Sequence, residues 1–303
     1  MDLAVIIPPA LMLAALGALI GVLQIARYRQ RRPDRRSPLT EGLLRPPGHT
    51  LRERLHDRQW DVAAHLAIAL ALPPMLYAMY LQQRLNGRPV NSITVAVYLT
   101  VGIAVFGFVA WRIVFAIRKV RNETLGLEAE MAAAEEINRL MQRGYTTFHD
   151  VPGGKDFNID HVIVGPTGVY AVETKGRPKK ARGAGKAGSM VRYDGKALHF
   201  PEWRETRPLD QVTANAQWLR NWLTKGVGEQ VTVCPVLLLP GWWVERTGRG
   251  DVLVGNAKEV AQMVGFDRGS GSLAESLQKR IAHQLDQRCR NLEPKAYVKR
   301  QAY

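Results

Sequence analysis

Asp160, Glu173 and Lys175 are the residues whose types and spacing suggest chemistry. Asp160 stands in Asn158-Ile159-Asp160-His161, and Glu173-Thr174-Lys175 follows thirteen residues later. The flanking residues are apolar and β-branched, and a turn at Gly165–Gly168 separates them. The segment therefore reads as two short strands joined by a hairpin turn. Alternate side chains on a strand share a face, so Glu173 and Lys175 point the same way. When the strands pair through the turn, Asp160 lies beside Glu173. Two carboxylates and one amine then meet at the end of a sheet. Hard oxygen ligands suit Mg²⁺ or Mn²⁺. A lysine next to such an ion orients an attacking water or offsets charge on a phosphorane-like transition state. Two exposed acids with a neighbouring salt bridge fit the same three residues.

A basic run follows directly: Lys175, Arg177, Lys179, Lys180, Arg182, Lys186, then Arg192 and Lys196. Such charges supply nonspecific affinity for phosphate backbones. A solvated loop is the plainer reading. His161 follows Asp160, but strand alternation turns it away, which assigns it a structural role. Gly183-Ala184-Gly185-Lys186 is a failed phosphate loop: Lys180 replaces the required Gly, and Ala187 replaces Ser or Thr. Trp218 and Trp222 share a helix face and read as core packing. Two cysteines, Cys234 and Cys289, make neither a disulfide framework nor a Cys-based zinc site.

The elements that must position these residues alternate. Glu123–Arg143 has the apolar spacing of an amphipathic helix, ended by Gly144. Strands are expected over Tyr145–Val151, Ile159–Val164 and Val169–Thr174, with a further hairpin around Asp194-Gly195. Leu209–Thr224 reads as a helix, Val231–Leu239 as a buried strand, and Val252–Val254 as a short one. Ala257–Val264 and Leu273–Cys289 read as closing helices. This is mixed α and β, class α+β.

The first part of the chain reads differently. Residues 3–26 carry no charge, enough for a bilayer-spanning helix, and the run ends in arginines rather than a cleavage site. Uncharged stretches recur at 62–83 and 89–111, so spans are expected at about 3–26, 62–83 and 91–111. Pro73-Pro74 in the second is tolerated in membrane helices. His65 near its start reads as an interfacial polar residue. The Arg-rich loop 27–61 holds ten arginines and several prolines and reads as extended linker. By the positive-inside rule that loop and everything after residue 121 are cytoplasmic, with the N-terminus outside. The expected organisation is a membrane region 1–121 and a cytoplasmic domain 122–303. That describes a multi-pass protein of a bacterial inner (cell) membrane, whose arginines also meet anionic lipid headgroups. The net charge of +15 divides accordingly: 1–121 holds 16 basic and 6 acidic residues, and 175–196 holds eight basic residues against Asp194. The surplus is mainly a topology signal, with one local patch beside the acidic pair.

Several short stretches, in order, resemble the nuclease-related domain, NERD, of the restriction-endonuclease-like PD-(D/E)XK superfamily. They are Ala129-Glu130 with Ile137 and Leu140; Tyr145 with His149-Asp150-Val151; Asn158 to Val162; Gly165 to Tyr170; Val172 to Lys175; and Pro208-Leu209-Asp210-Gln211. The resemblance runs from about Leu125 through Leu239. It implies an αβββαβ core after three transmembrane helices, and Mg²⁺- or Mn²⁺-dependent cleavage of nucleic acid, DNA ahead of RNA. It implies that Asp160 and Glu173 hold the ion with the Thr174 carbonyl, and that Lys175 acts on the nucleophile or phosphate. Glu130 would complete the site by holding a metal-bound water, in competition with Glu128, Glu135 and Glu136. Gln211 would hydrogen-bond a phosphate or the water, and Arg177, Lys179, Lys180, Arg182, Lys186 and Arg192 would meet the nucleic acid. The family often has Gly before the helix Glu; Ala129 departs from that. A module that grips nucleic acid without cutting, or a membrane scaffold that meets another protein, uses the same features.

Overall fold

The computed structural model describes residues 18, 21–22, 25, 38–39, 41–87, 91–154, 157–179, 185, 187–265 and 272–293. The expected span 3–26 falls almost wholly outside these residues, as do residues 27–37, Lys180, Arg182 and Lys186. Among the described stretches, one compact unit holds Arg54–Arg121, and a second holds Glu41–Glu53 with Asn122–Glu293.

Two helices supply the first unit: α1, His49–Leu85, and α2, Ser92–Asn138. Both are long and apolar enough to cross a membrane, with window hydropathies of 1.7 and 2.3. A helix at the core of a soluble domain buries its apolar residues. Here 0% of the first window and 6% of the second is buried. Leu70, Ile103 and Phe106 are largely exposed. The described residues thus contain two such helices rather than three. Between them Gln83 donates to the Tyr98 hydroxyl at 2.8 Å, and Arg112 reaches His65 Nε2 at 3.4 Å.

Two expectations need correction. The Arg-rich stretch 27–61 is not extended throughout: α1 begins at His49, after Pro46-Pro47. A proline pair opens a helix readily, and nothing in residues 49–61 interrupts one. The third apolar stretch and the helix expected over Glu123–Arg143 are one element of 47 residues. No proline stands between Trp111 and Glu123, so the helix has no reason to stop. A 3₁₀ turn, Arg139–Arg143, then closes it, and Gly144 takes the left-handed conformation at φ 81°.

The second unit is built on a five-stranded mixed sheet. Its strands are β2 (Thr146–Pro152), β3 (Asn158–Gly165), β4 (Gly168–Thr174), β8 (Val233–Leu238) and β10 (Leu253–Gly255). They lie in the order β10-β8-β4-β3-β2. β2, β3 and β4 form an antiparallel meander, whereas β8 joins β4, and β10 joins β8, in parallel. Between β4 and β8 the chain makes helix α3, Arg207–Val227, giving the expected helix, three strands, helix, strand order. An inserted four-stranded sheet contains β5 (Met190–Tyr193), β6 (Leu198–His199), β7 (Arg204–Glu205) and β9 (Trp243–Arg246). Its β5–β6 hairpin turns at Asp194-Gly195, as the sequence indicates.

Helices cover both faces of the main sheet. Ala216, Leu219 and Leu223 of α3, with Ile281 and Leu285 of α5 (Glu275–Cys289), pack on Val162, Val164 and Ala171. The end of α2, through Ala133 and Ile137, and the short α4 (Val260–Gly265) pack on Ile163, Tyr170 and Val172. Residues 41–53 also belong here. β1 (Leu43–Leu44) pairs with β11 (Arg290–Leu292). Leu219 is fully buried at the α3–sheet seam. Leu219→Ala should destabilise this unit by about 2–5 kcal/mol, read from denaturant unfolding of the full chain in detergent.

Candidate active site

The acidic pair sits where two strands part. The β3–β4 ladder runs from Gly165↔Gly168 to His161↔Val172 and stops there. Asp160 and Glu173 are the next residues along, facing each other as the hairpin register requires. In place of a backbone rung, the Thr174 N–H donates to Asp160 Oδ2 at 2.7 Å. The carboxylate therefore caps the strand end, and the two chains diverge beyond it. β4 stays paired with β8 on its other side, and Lys175 N–H donates to the Leu238 carbonyl at 3.0 Å. That pairing holds the Glu173-Thr174-Lys175 backbone while its β3 edge is open.

Glu173 is held from three directions. Lys175 Nζ lies 2.5 Å from its Oε1, and Gln211 Nε2 donates to the same oxygen at 2.7 Å. Asn215 Nδ2 donates to Oε2 at 3.0 Å. Lys175 reaches Glu173 because alternate residues of β4 share a face. Gln211 and Asn215 are one turn apart at the start of α3, so both aim at the same carboxylate. Asn215 escaped the sequence reading. Its signal was the four-residue spacing from Gln211.

Glu130 is buried, whereas Glu128 and Glu135 are exposed and Glu136 is half-buried and bonded to Arg139. Only Glu130 among these four acts on Asp160 electrostatically. The turn of α2 that carries it approaches the chain just past Lys175. A Cβ on Gly176 would meet the Leu125 carbonyl at 2.6 Å and the Ala129 Cβ at 3.1 Å. Gly176 supplies the close approach beside Ala129, where the family often has Gly.

The electrostatics follow from crowding. Burial raises the Asp160 carboxyl well above the ordinary carboxylate range, and Glu173 and Glu130 raise it further. Lys175 and the Thr174 N–H pull it partly back. Burial also raises Glu173, against the opposing pull of Lys175 and Asn215. Among the described residues no three His, Cys, Asp or Glu side chains are arranged to hold a metal ion. What the site offers is a carboxylate pair, a third acid within electrostatic reach, and a buried Thr174 hydroxyl without a hydrogen-bond partner. Hard oxygens with excess negative charge fit a small divalent cation better than any softer ion.

The remaining expected residues scatter. Arg177 makes a two-pronged ion pair with Glu205 at 2.9 and 3.0 Å, so its guanidinium ties the loop to β7. Lys179 lies over the Trp242 ring at 5.2 Å and donates to the Gly241 carbonyl. Arg192 is exposed on β5, on the inserted sheet. His161 is fully buried on the far side of the sheet, 2.8 Å from His149 through their Nδ1 atoms. His149 Nε2 lies 3.0 Å from Asn138 Oδ1, so that nitrogen carries a proton. His161 Nδ1–H must then donate to His149, leaving His161 Nε2 as a buried bare lone pair. Burial lowers both rings, His149 to about 4, so both are neutral near pH 7. Trp218 and Trp222 pack against the core and stack on each other, 6.0 Å between ring centroids, with Arg288 over both rings.

Comparison with known proteins gives a family match for part of the chain. Residues 125–240 match the family model described as NERD, nuclease-related domain. This match, over part of the chain, agrees with the resemblance to the nuclease-related domain of the PD-(D/E)XK superfamily. Searches of the curated proteins and of the solved structures found no match.

The raised Asp160 carboxyl has a consequence for stability. The folded state holds this proton more tightly than the unfolded state does. The contribution of this group to stability is therefore largest at low pH and declines as pH rises from the ordinary carboxylate range through the raised value. Asp160→Asn removes that titration and keeps an acceptor for the Thr174 N–H. In chelator, the variant should melt a few degrees above wild type at pH 8 and show a smaller gap at pH 4. Melting curves at the two pH values check this.

Proposed function

We propose that this chain is a membrane-anchored, metal-dependent nuclease that hydrolyses phosphodiester bonds of DNA, with RNA as the alternative substrate. The observation that carries the reading is the meeting of Asp160, Glu173, Lys175 and Gln211 at one strand end within a nuclease-related domain. Asp160, Glu173 and the Thr174 carbonyl would hold Mg²⁺ or Mn²⁺. When bound, the ion supplies charge to offset that of the five-coordinate phosphate. The Lys175 ammonium orients the attacking water and offsets charge on a non-bridging oxygen. Glu130 accepts a hydrogen bond from that water. Gln211 and Asn215 keep Glu173 turned inward. Water gives up a proton to solvent as its oxygen adds to phosphorus, the P–O ester bond breaks, and the leaving oxygen takes up a proton from solvent. Lys179, Lys180, Arg182, Lys186 and Arg192 would meet the phosphate backbone, with Arg177 held by Glu205 beside the site.

The two exposed apolar helices support membrane anchoring. In this reading a third span lies within residues 3–26, the N-terminus is outside, and the nuclease-related domain is in the cytoplasm of a bacterial cell. The arginines of residues 27–61 then lie at the inner-membrane surface, near anionic headgroups.

A second reading is a module that binds nucleic acid or a protein without cutting. One observation favours it: both oxygens of Glu173 already accept hydrogen bonds, and Lys175 must move before the carboxylate can take a cation. Cleavage assays separate the two. The full chain in detergent should cut DNA with Mg²⁺ and not with chelator. Asp160→Ala and Glu173→Ala should each lose at least about 100-fold, the scale of removing a group from a preorganised site. Equal cleavage by wild type and both variants contradicts the nuclease reading. Metal-independent binding without cleavage of any substrate supports the second.

A further inference from the structure

The segment Glu41–Glu53 runs into the first turn of α1 and lies outside the family match, yet it reaches the strands that present Asp160. Asp150 of β2 is the contact point. It is 4% exposed and is the one non-glycine residue with positive φ, 48°, among the described residues. Left-handed backbone is unfavourable for L residues, although Asp tolerates it better than most. Three donors compensate. Arg45 Nη1 lies 2.9 Å from Asp150 Oδ2, Thr50 Oγ1 lies 2.8 Å from the same oxygen, and Asn158 Nδ2 lies 3.2 Å from Oδ1. Asn158 also donates to Thr50.

That kink decides where Asp160 goes. The β2–β3 rungs are His149↔His161 and Val151↔Ile159, and the rung between them, Asp150 with Asp160, is skipped. Regular alternation would put Phe148 and Val151 on opposite faces. Instead both lie in one core cluster, and so do Ile159 and Val162. Both strands therefore lose alternation at this rung. Asp160 is released from its regular position and caps the Thr174 N–H. The same segment lies against the turn that carries Glu130. Gly48 has φ 64°, and a Cβ there would stand 2.2 Å from Leu127 Cδ1 and 3.5 Å from Glu130 Oε2. The segment is anchored independently: Arg45 N–H donates to the Cys289 carbonyl at 3.2 Å, and Arg45 Nε donates to Asn291 at 2.9 Å.

We infer that Glu41–Glu53 is a positioning strap for the acidic site: Arg45 and Thr50 hold the Asp150 kink, and the kink sets Asp160 against the Thr174 backbone. The inference rests on the proposed metal site for its consequence, but the positioning itself has a separate readout. Full-length protein in detergent is compared as wild type, Arg45→Met, Thr50→Val, Asp150→Asn and Asp160→Asn. Two quantities are measured: Mn²⁺ affinity, and hydrogen exchange of the Thr174 amide by residue-resolved mass spectrometry.

Groups that orient ligand-bearing residues commonly contribute about 10-fold or more to metal affinity. Arg45→Met and Thr50→Val should weaken Mn²⁺ binding by about that factor. They should also speed Thr174 exchange about 10-fold more than exchange at Ala171 and Val172, inside the ladder. Asp150→Asn tolerates the left-handed backbone but keeps one acceptor oxygen for three donors, so its Thr174 exchange and Mn²⁺ affinity should fall between wild type and the strap variants. Two results overturn the strap: unchanged Thr174 exchange in both strap variants, or a uniform rise across β4 with no excess at Thr174. If Asp160→Asn leaves Mn²⁺ affinity unchanged, the metal reading fails, and Thr174 exchange still decides the strap.

Discussion

Two carboxylates forced together out of water are the constraint on which the rest of this domain depends. Asp160 and Glu173 face each other at a strand end, with Glu130 close enough to add its field. Burying charge is unfavourable unless it is paired, and like charges make it worse. Most neighbouring polar groups counter that burden. Lys175, Gln211 and Asn215 all donate to Glu173, and the Thr174 N–H donates to Asp160. Hydrogen bonds to charged groups contribute about 1.5–3 kcal/mol each, enough to hold the cluster but not to neutralise it. A residual negative charge in a confined, oxygen-lined place attracts a cation, and a structural ion pair avoids it.

The fold supplies that place by interrupting its own regularity. A continuous antiparallel meander would have zipped Asp160 and Glu173 into a ladder and hidden their backbones. Instead β3 leaves β4 after His161↔Val172, and the rung between Asp150 and Asp160 is skipped one strand away. β8 holds β4 from the other side, so Glu173 stays in place while its partner strand departs. The long helix brings Glu130 in from the opposite face, and Gly176 lets it come close. Each irregularity is met by a residue that tolerates it: Asp150 at the kink, Gly48 in the strap, Gly144 at the helix end.

Much of this was legible in the sequence, and the illegible parts share a cause. The strand pair and the Gly165–Gly168 turn fixed the Asp160–Glu173 register, because period-two alternation and turn residues act locally. Lys175 followed from alternation and Gln211 from family order. Asn215 was one helical turn further and unremarked. Glu130 could not be told from Glu128 by spacing alone, since burial and a field on Asp160 are what distinguish it. The strap was invisible for a different reason. Arg45 and Asp150 are separated by 105 residues, and nothing local marks a long-range ion pair. The extended-linker reading of 27–61 treated its arginines as topology signals and lipid contacts, and Arg45 is also a structural cation. Arg177 shows the reverse error: a residue read from its basic neighbourhood is taken up by Glu205.

The central claim is that Asp160 and Glu173 form one electrostatically coupled, cation-seeking pair. Carboxyl titration by carbon NMR, with ¹³C-labelled Asp and Glu in the full chain, tests it most directly. The account predicts that Asp160 titrates well above the ordinary carboxylate range in chelator and falls below it when Mg²⁺ is added. Glu173 should shift in the same direction. Ordinary titration of both groups, unmoved by Mg²⁺, would contradict the account.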